Sequence, residues 1–83
     1  MTIEELAQKV MDALEEIVES PRADAAMTLD TTLAAVGIDS LEVVEMALIL
    51  EDKLPGLDMD TYMPDLSATI REVAEAIHQR LPG

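Results

Sequence analysis

An all-α fold, a small four-helix bundle of three main helices plus one short helix with a long loop between helices 1 and 2, follows from three observations. Apolar residues recur three or four positions apart through three long stretches, the spacing of one helical face. No stretch alternates apolar and polar residues with the two-residue period of a half-buried strand. The chain of 83 residues suits a single domain, 1–83, which at that size buries only ~60% of its unfolded surface and is too small for a deep catalytic cleft.

In the first stretch Ile3, Leu6, Val10, Leu14, Ile17 and Val18 share a face. Thr2 and Glu5 are spaced as a capping box at its start, and Ser20-Pro21 ends it, because the residue before proline is pushed out of the helical region. Residues 21–38 show no sustained period and read as a long loop with one helical turn near Thr32 to Val36. Leu29, Leu33, Val36 and Ile38 are spaced to pin that loop onto a core. The second main helix runs from Ser40 to about Lys53, with Asp39 as N-cap and Glu42 completing a capping box, and Pro55-Gly56 closes it. Leu57, Met59, Tyr62 and Met63 fit a short third helix or an irregular segment, broken at Pro64. Ser67 is the expected cap of the last helix, in which Ile70, Val73, Ala74, Ile77 and Leu81 line one face before Pro82-Gly83.

Composition narrows the function. Eighteen acidic against five basic residues give a formal charge of -13, which repels nucleic acid and anionic membranes and favours partners with basic surfaces. Self-repulsion at that charge weakens a small fold, so salt or divalent cations are expected to stabilise it. The absence of cysteine excludes a disulfide framework and a thiolate zinc site, and any thiol chemistry has to be imported. The first residues carry no basic segment and no apolar run is long enough to span a bilayer, which points to a soluble, cytoplasmic protein without a membrane role. With no Phe or Trp and six Met, the core must be aliphatic and adaptable.

The functional focus is Gly37-Ile38-Asp39-Ser40-Leu41, a glycine turn that leads directly into the second main helix and places Ser40 in its first turn. There a helix presents unpaired N–H groups and a partial positive charge, which tolerate a phosphate beside the hydroxyl. A well-capped helix start with no further role has the same residues. Wound at about 100° per residue, the helix carries two apolar stripes. Val43, Met46, Ala47, Leu50 and Leu54 form the natural core face, while Leu41, Val44 and Leu48, edged by Glu45, Glu51 and Asp52, are either covered by a neighbouring element or form a docking strip with a carboxylate rim. Residues 23–52 contain no Lys or Arg but seven Asp and Glu, so acid is concentrated around Ser40.

Serine hydrolysis needs a base beside the nucleophile. The chain's one histidine, His78, belongs to the last helix, and the second glycine of a G-x-S-x-G elbow is missing. Asp58-x-Asp60 is not an EF-hand loop, because Met63 and Thr69 stand where glycine and glutamate are required, and no metal site is expected. A covalently modified carrier and an unmodified acidic helical adaptor both remain compatible with these residues.

Asp39-Ser40-Leu41, the Asp30-Thr31-Thr32-Leu33 approach, Glu45, Glu51-Asp52 and the Thr69-Ile70-Arg71-Glu72-Val73 opening of the last helix together resemble the acyl carrier protein family over nearly the whole chain. The resemblance implies a four-helix bundle whose Ser40 receives a 4'-phosphopantetheine arm from coenzyme A, with Asp39 helping to present it. It further implies a non-enzymatic monomer that carries acyl groups as thioesters for fatty acid or polyketide biosynthesis. Leu41, Glu42, Val44, Glu45, Leu48, Glu51 and Asp52 would then meet a phosphopantetheinyl transferase and acyl-processing enzymes through their basic docking surfaces. A peptidyl or aminoacyl carrier of a nonribosomal pathway is the alternative within the family. Leu54 in place of a frequent aromatic, the extra residue suggested by Pro55-Gly56, and Pro64 within the third-helix region depart from the family pattern.

Overall fold

The computed structural model describes residues 1–18, 27–60 and 62–81. The expected helix ends at Ser20-Pro21 and Pro82-Gly83 lie outside those residues. Four helices follow in order: α1 (Ile3–Ile17), α2 (Leu33–Val36), α3 (Ser40–Lys53) and α4 (Ile70–Arg80). The described residues contain no strand, only an isolated bridge between Thr32 and Thr69. No described helix is long and apolar enough to cross a membrane.

The periodic apolar residues become the core. Leu6, Val10 and Leu14 of α1, Val43, Met46 and Leu50 of α3, and Ile70, Val73 and Ile77 of α4 are buried together. α1 packs against both α3 and α4. Leu33 and Ile38 are buried and Leu29 and Val36 pack against the same cluster, so the long connection is pinned as its spacing predicts. No polar or charged residue is buried as a whole among the described residues, and the one buried side-chain polar atom left without a partner is Arg80 Nε.

Capping boxes start all three long helices. Thr2 Oγ1 accepts the Glu5 N–H at 3.1 Å while Glu5 Oε1 accepts the Thr2 N–H at 3.0 Å. The bond from the Thr2 N–H, together with one from the Thr2 hydroxyl, favours the charged carboxylate and holds the Glu5 pKa below its ordinary value. The last helix corrects one expectation, because its cap is Thr69 and not Ser67. Thr69 Oγ1 accepts the Glu72 N–H at 3.1 Å and Glu72 returns a bond to the Thr69 N–H at 3.0 Å. Ser67 has Ile70 three residues on, which cannot reciprocate. Leu81 lies at the core's edge, partly buried.

The short helix is α2, and the described part of 57–63 is irregular, the second of the two readings its sequence allowed. Local acceptors take the amides that a helix would need. Glu51 Oε2 accepts the Met59 N–H at 2.9 Å and Asp58 Oδ1 accepts the Asp60 N–H at 2.8 Å, so carboxylates compete with the helical ladder. The Tyr62 ring is covered by the Arg80 guanidinium, 4.7 Å from its centroid, which ties this segment to the end of α4. Burial raises the Tyr62 pKa, with Glu72 and Asp65 adding to the effect against Arg80.

Among the described residues two exposed ion pairs join elements: Lys53 to Glu16 at 3.1 Å and Arg71 to Asp30 at 3.2 Å. Pairs of that kind are each worth only ~0–1 kcal/mol. Repulsion among the excess acidic charges acts over the whole surface, and salt screens both effects. The repulsion is the larger, so raising NaCl to about 0.5 M should raise the melting temperature in thermal denaturation; a fall would make the two pairs dominant. Thr69→Ala should cost ~1 kcal/mol and lower Tm by about 4–8 °C, with Ser67→Ala near neutral. A larger loss from Ser67→Ala would restore Ser67 as the cap.

Candidate functional site

Ser40 is exposed and is the first residue of α3. Its placement begins at Gly37, which ends α2 with φ of 100°, a left-handed conformation that glycine adopts without steric cost. Buried Ile38 then anchors the turn, and Asp39 is extended ahead of the helix. Asp39 Oδ1 accepts the Glu42 N–H at 2.9 Å, Glu42 Oε1 accepts the Asp39 N–H at 3.1 Å, and the Asp39 carbonyl accepts the Val43 N–H at 3.1 Å. Asp39 and Glu42 thereby hold Ser40 in the first turn through backbone contacts.

A helix start leaves four amides without intrahelical acceptors. In α3 the capping box and the Asp39 carbonyl serve Glu42 and Val43, while the amides of Ser40 and Leu41 have no acceptor among the described residues. The helix therefore presents two free donors and the positive end of its dipole next to an exposed hydroxyl.

Leu41, Val44 and Leu48 are 75%, 43% and 61% exposed, which decides between the two readings of the second stripe. At about 100° per residue they share a sector of roughly 100° with Glu45 and Asp52, both exposed. Glu42 lies to one side, half-buried in its capping box. Glu51 lies to the other, where its carboxylate bonds to Met59. The candidate face is thus a strip of three apolar side chains with two free carboxylates, and Glu42 and Glu51 are framework beside it.

A pocket of about 420 Å³ opens next to Ser40, lined by Ser40 and Val43 of α3 and by the segment Met63 to Ser67. This wall has no signature in the sequence, because an irregular segment has no period to betray which side chains it turns inward. Ser67, expected as a cap, lines the pocket instead. Thr69, the actual cap, was legible in the Thr69-x-x-Glu72 spacing. His78 is exposed on α4 and does not line the pocket. Carboxylate oxygens of Glu51, Asp58 and Asp60 lie within 4.8 Å of one another, and those of Glu51 and Asp58 already accept backbone amides.

In a comparison with protein families, residues 4–77 match the family described as phosphopantetheine attachment site. No curated protein and no solved structure matches the chain. With the match spanning most of its length, the chain belongs to the phosphopantetheine-attachment family, and is a carrier domain for covalently bound 4'-phosphopantetheine.

Proposed function

We propose that this carrier bears its arm on Ser40 Oγ and carries acyl intermediates as thioesters in fatty acid or polyketide biosynthesis. The observation behind the reading is the setting of Ser40: an exposed hydroxyl on the first turn of a fourteen-residue helix, inside the matched region. A phosphodiester formed there would lie beside the free amides of Ser40 and Leu41 and at the positive helix end, so the residues present fit the group. Ser67 lies in a turn and lacks that setting.

The arm supplies a terminal thiol that holds the cargo as a thioester. The chain itself contains no cysteine, so no protein thiol competes for that cargo by exchange. Asp39 and Glu42 fix where Ser40 stands. The strong acidity and the Gly37-Ile38-Asp39-Ser40-Leu41 form, where peptidyl carriers commonly show a second glycine, favour acyl over amino-acid cargo.

Partners are read by the same helix. Leu41, Val44 and Leu48 offer apolar surface to a transferase or acyl-processing enzyme, and Glu45 and Asp52 steer basic residues onto it. Such steering acts mainly on association rate and fades with salt.

Incubation with coenzyme A and a broad-specificity phosphopantetheinyl transferase, followed by intact-mass measurement, tests the attachment. Wild type and Ser67→Ala should each gain one arm and Ser40→Ala none; an equal gain by Ser40→Ala would place the arm elsewhere. The docking face is tested with Glu45→Lys combined with Asp52→Lys, which should lower a partner enzyme's kcat/KM by at least ~10-fold at low salt and leave the helical circular dichroism intact. Unchanged turnover at low salt would remove this face from recognition.

A further inference from the structure

We infer that Met63 is a peroxide-sensitive modification site, and that its oxidation to the sulfoxide slows the loading of the arm onto Ser40. The inference rests on the reading that Ser40 bears the arm. The chain contains no cysteine, so before the arm is attached its six methionines hold all of its sulfur. In such a chain a peroxide oxidises the thioethers that meet solvent.

The fold sorts the methionines. Met46 and Met59 are 0% and 1% exposed, and Met11 and Met27 pack partly against the same core. Met1 and Met63 keep 54% and 49% of their surface in solvent. Met1 precedes α1, whereas Met63 stands in the irregular segment beside Ser40. In the reaction the Met63 sulfur lone pair attacks one oxygen of hydrogen peroxide and the O–O bond breaks. The proton of the transferred hydroxyl passes to the leaving oxygen, which departs as water, so the sulfur is oxidised and the peroxide reduced. At Met63 the new oxygen is met by water and the packing is spared. On Met46 or Met59 the same oxygen would lie among buried aliphatic side chains.

The position of Met63 gives the change a consequence. Met63 and Ser40 line one pocket, so a transferase that brings coenzyme A to Ser40 Oγ covers the Met63 side chain as well. The thioether offers that enzyme apolar area, whose removal from water favours the complex. The sulfoxide presents a polar oxygen instead, which loses its water when covered and weakens the complex unless a donor replaces it. The backbone on either side is held. Pro64 is buried, the Tyr62 N–H bonds to the Met59 carbonyl at 3.2 Å, and the Leu66 carbonyl accepts the Ala34 N–H at 2.8 Å. The oxidised side chain therefore stays beside Ser40. Methionine sulfoxide reductases, one for each sulfoxide epimer, reverse the change.

The unmodified protein is treated with hydrogen peroxide, the excess is removed with catalase, and the product is mapped by peptide mass spectrometry. Met63 and Met1 should each gain one oxygen while Met46 and Met59 stay as thioethers and the helical circular dichroism is kept. Oxidation of Met46 or Met59 as fast as Met63 overturns the assigned site. Treated and untreated protein are then loaded from coenzyme A by a phosphopantetheinyl transferase and followed by intact mass. Loading should slow by at least ~5-fold after treatment and recover with the two reductases. Met63→Leu, which keeps Met1, should load at one rate before and after treatment. Slowing that persists in Met63→Leu, or loading that Met63 oxidation does not change, overturns the proposal and leaves the Ser40 reading standing. An arm gained equally by Ser40→Ala overturns the Ser40 reading and with it the proposed link to loading.

Discussion

The rest of the structure hangs on the backbone pairing between residues 29–34 and 66–71. A four-residue helix such as α2 has no stability of its own, since nucleation fixes several dihedrals for one hydrogen bond. Here its first amides are served from outside: Leu33 N–H by the Ala68 carbonyl at 3.0 Å and Ala34 N–H by that of Leu66 at 2.8 Å, with Thr32 accepting from Ala35 and Val36. The exchange is mutual. Ile70 N–H bonds to the Thr31 carbonyl at 2.9 Å and Arg71 N–H to that of Leu29 at 2.8 Å, while Thr69 accepts from Glu72 and Val73. Each helix start satisfies the other's orphan donors, and the two connections of the bundle become one layer.

That layer sets both sides of the site. One strand of the pairing continues through α2 and Gly37 to Ser40, and the other leads back from Ala68 to the pocket wall at Leu66 and Ser67. The distance between Ser40 and the pocket wall is therefore fixed by backbone hydrogen bonds, which tolerate side-chain change better than packing does. The start of α3, like that of α1, is open by comparison: α2 and α4 have every first-turn amide served, while Ser40 and Leu41 keep theirs free. A helix start that lies open where its neighbours are closed has spare donors for a group from outside the chain.

How far the sequence revealed this depends on whether a feature is local. The helices α1, α3 and α4 were legible because Leu6, Val10, Leu14 and their counterparts repeat with the helical period, and the boxes at Thr2 and Asp39 because a cap and its partner lie three residues apart. The pattern of α3 alone left Leu41, Val44 and Leu48 undecided, since burial depends on what packs alongside, and the structure leaves them bare. The Thr32–Thr69 pairing joins positions far apart in sequence and carries no local signature. The pocket wall is hidden for the same reason, and Ser67 resembles a cap in the sequence because Ser is a frequent N-cap whatever follows it.

The acidic residues of α3 divide between those that hold the fold and those of the proposed docking face. Asp39 and Glu42 spend carboxylate oxygens on the helix start, and Glu51 spends one on the Met59 amide at 2.9 Å, which holds the irregular connection onto α3. Glu45 and Asp52 are exposed and make no hydrogen bond or ion pair among the described residues. Replacing Glu51 loosens the segment that leads to the pocket wall, so its effect on partners would be mixed with an effect on structure. Replacing Glu45 or Asp52 changes an exposed charge and breaks no hydrogen bond or ion pair among the described residues. If the proposed docking face holds, partner preference can drift at these two positions, on the same turns as Leu41, Val44 and Leu48, while the frame that holds Ser40 stays as it is.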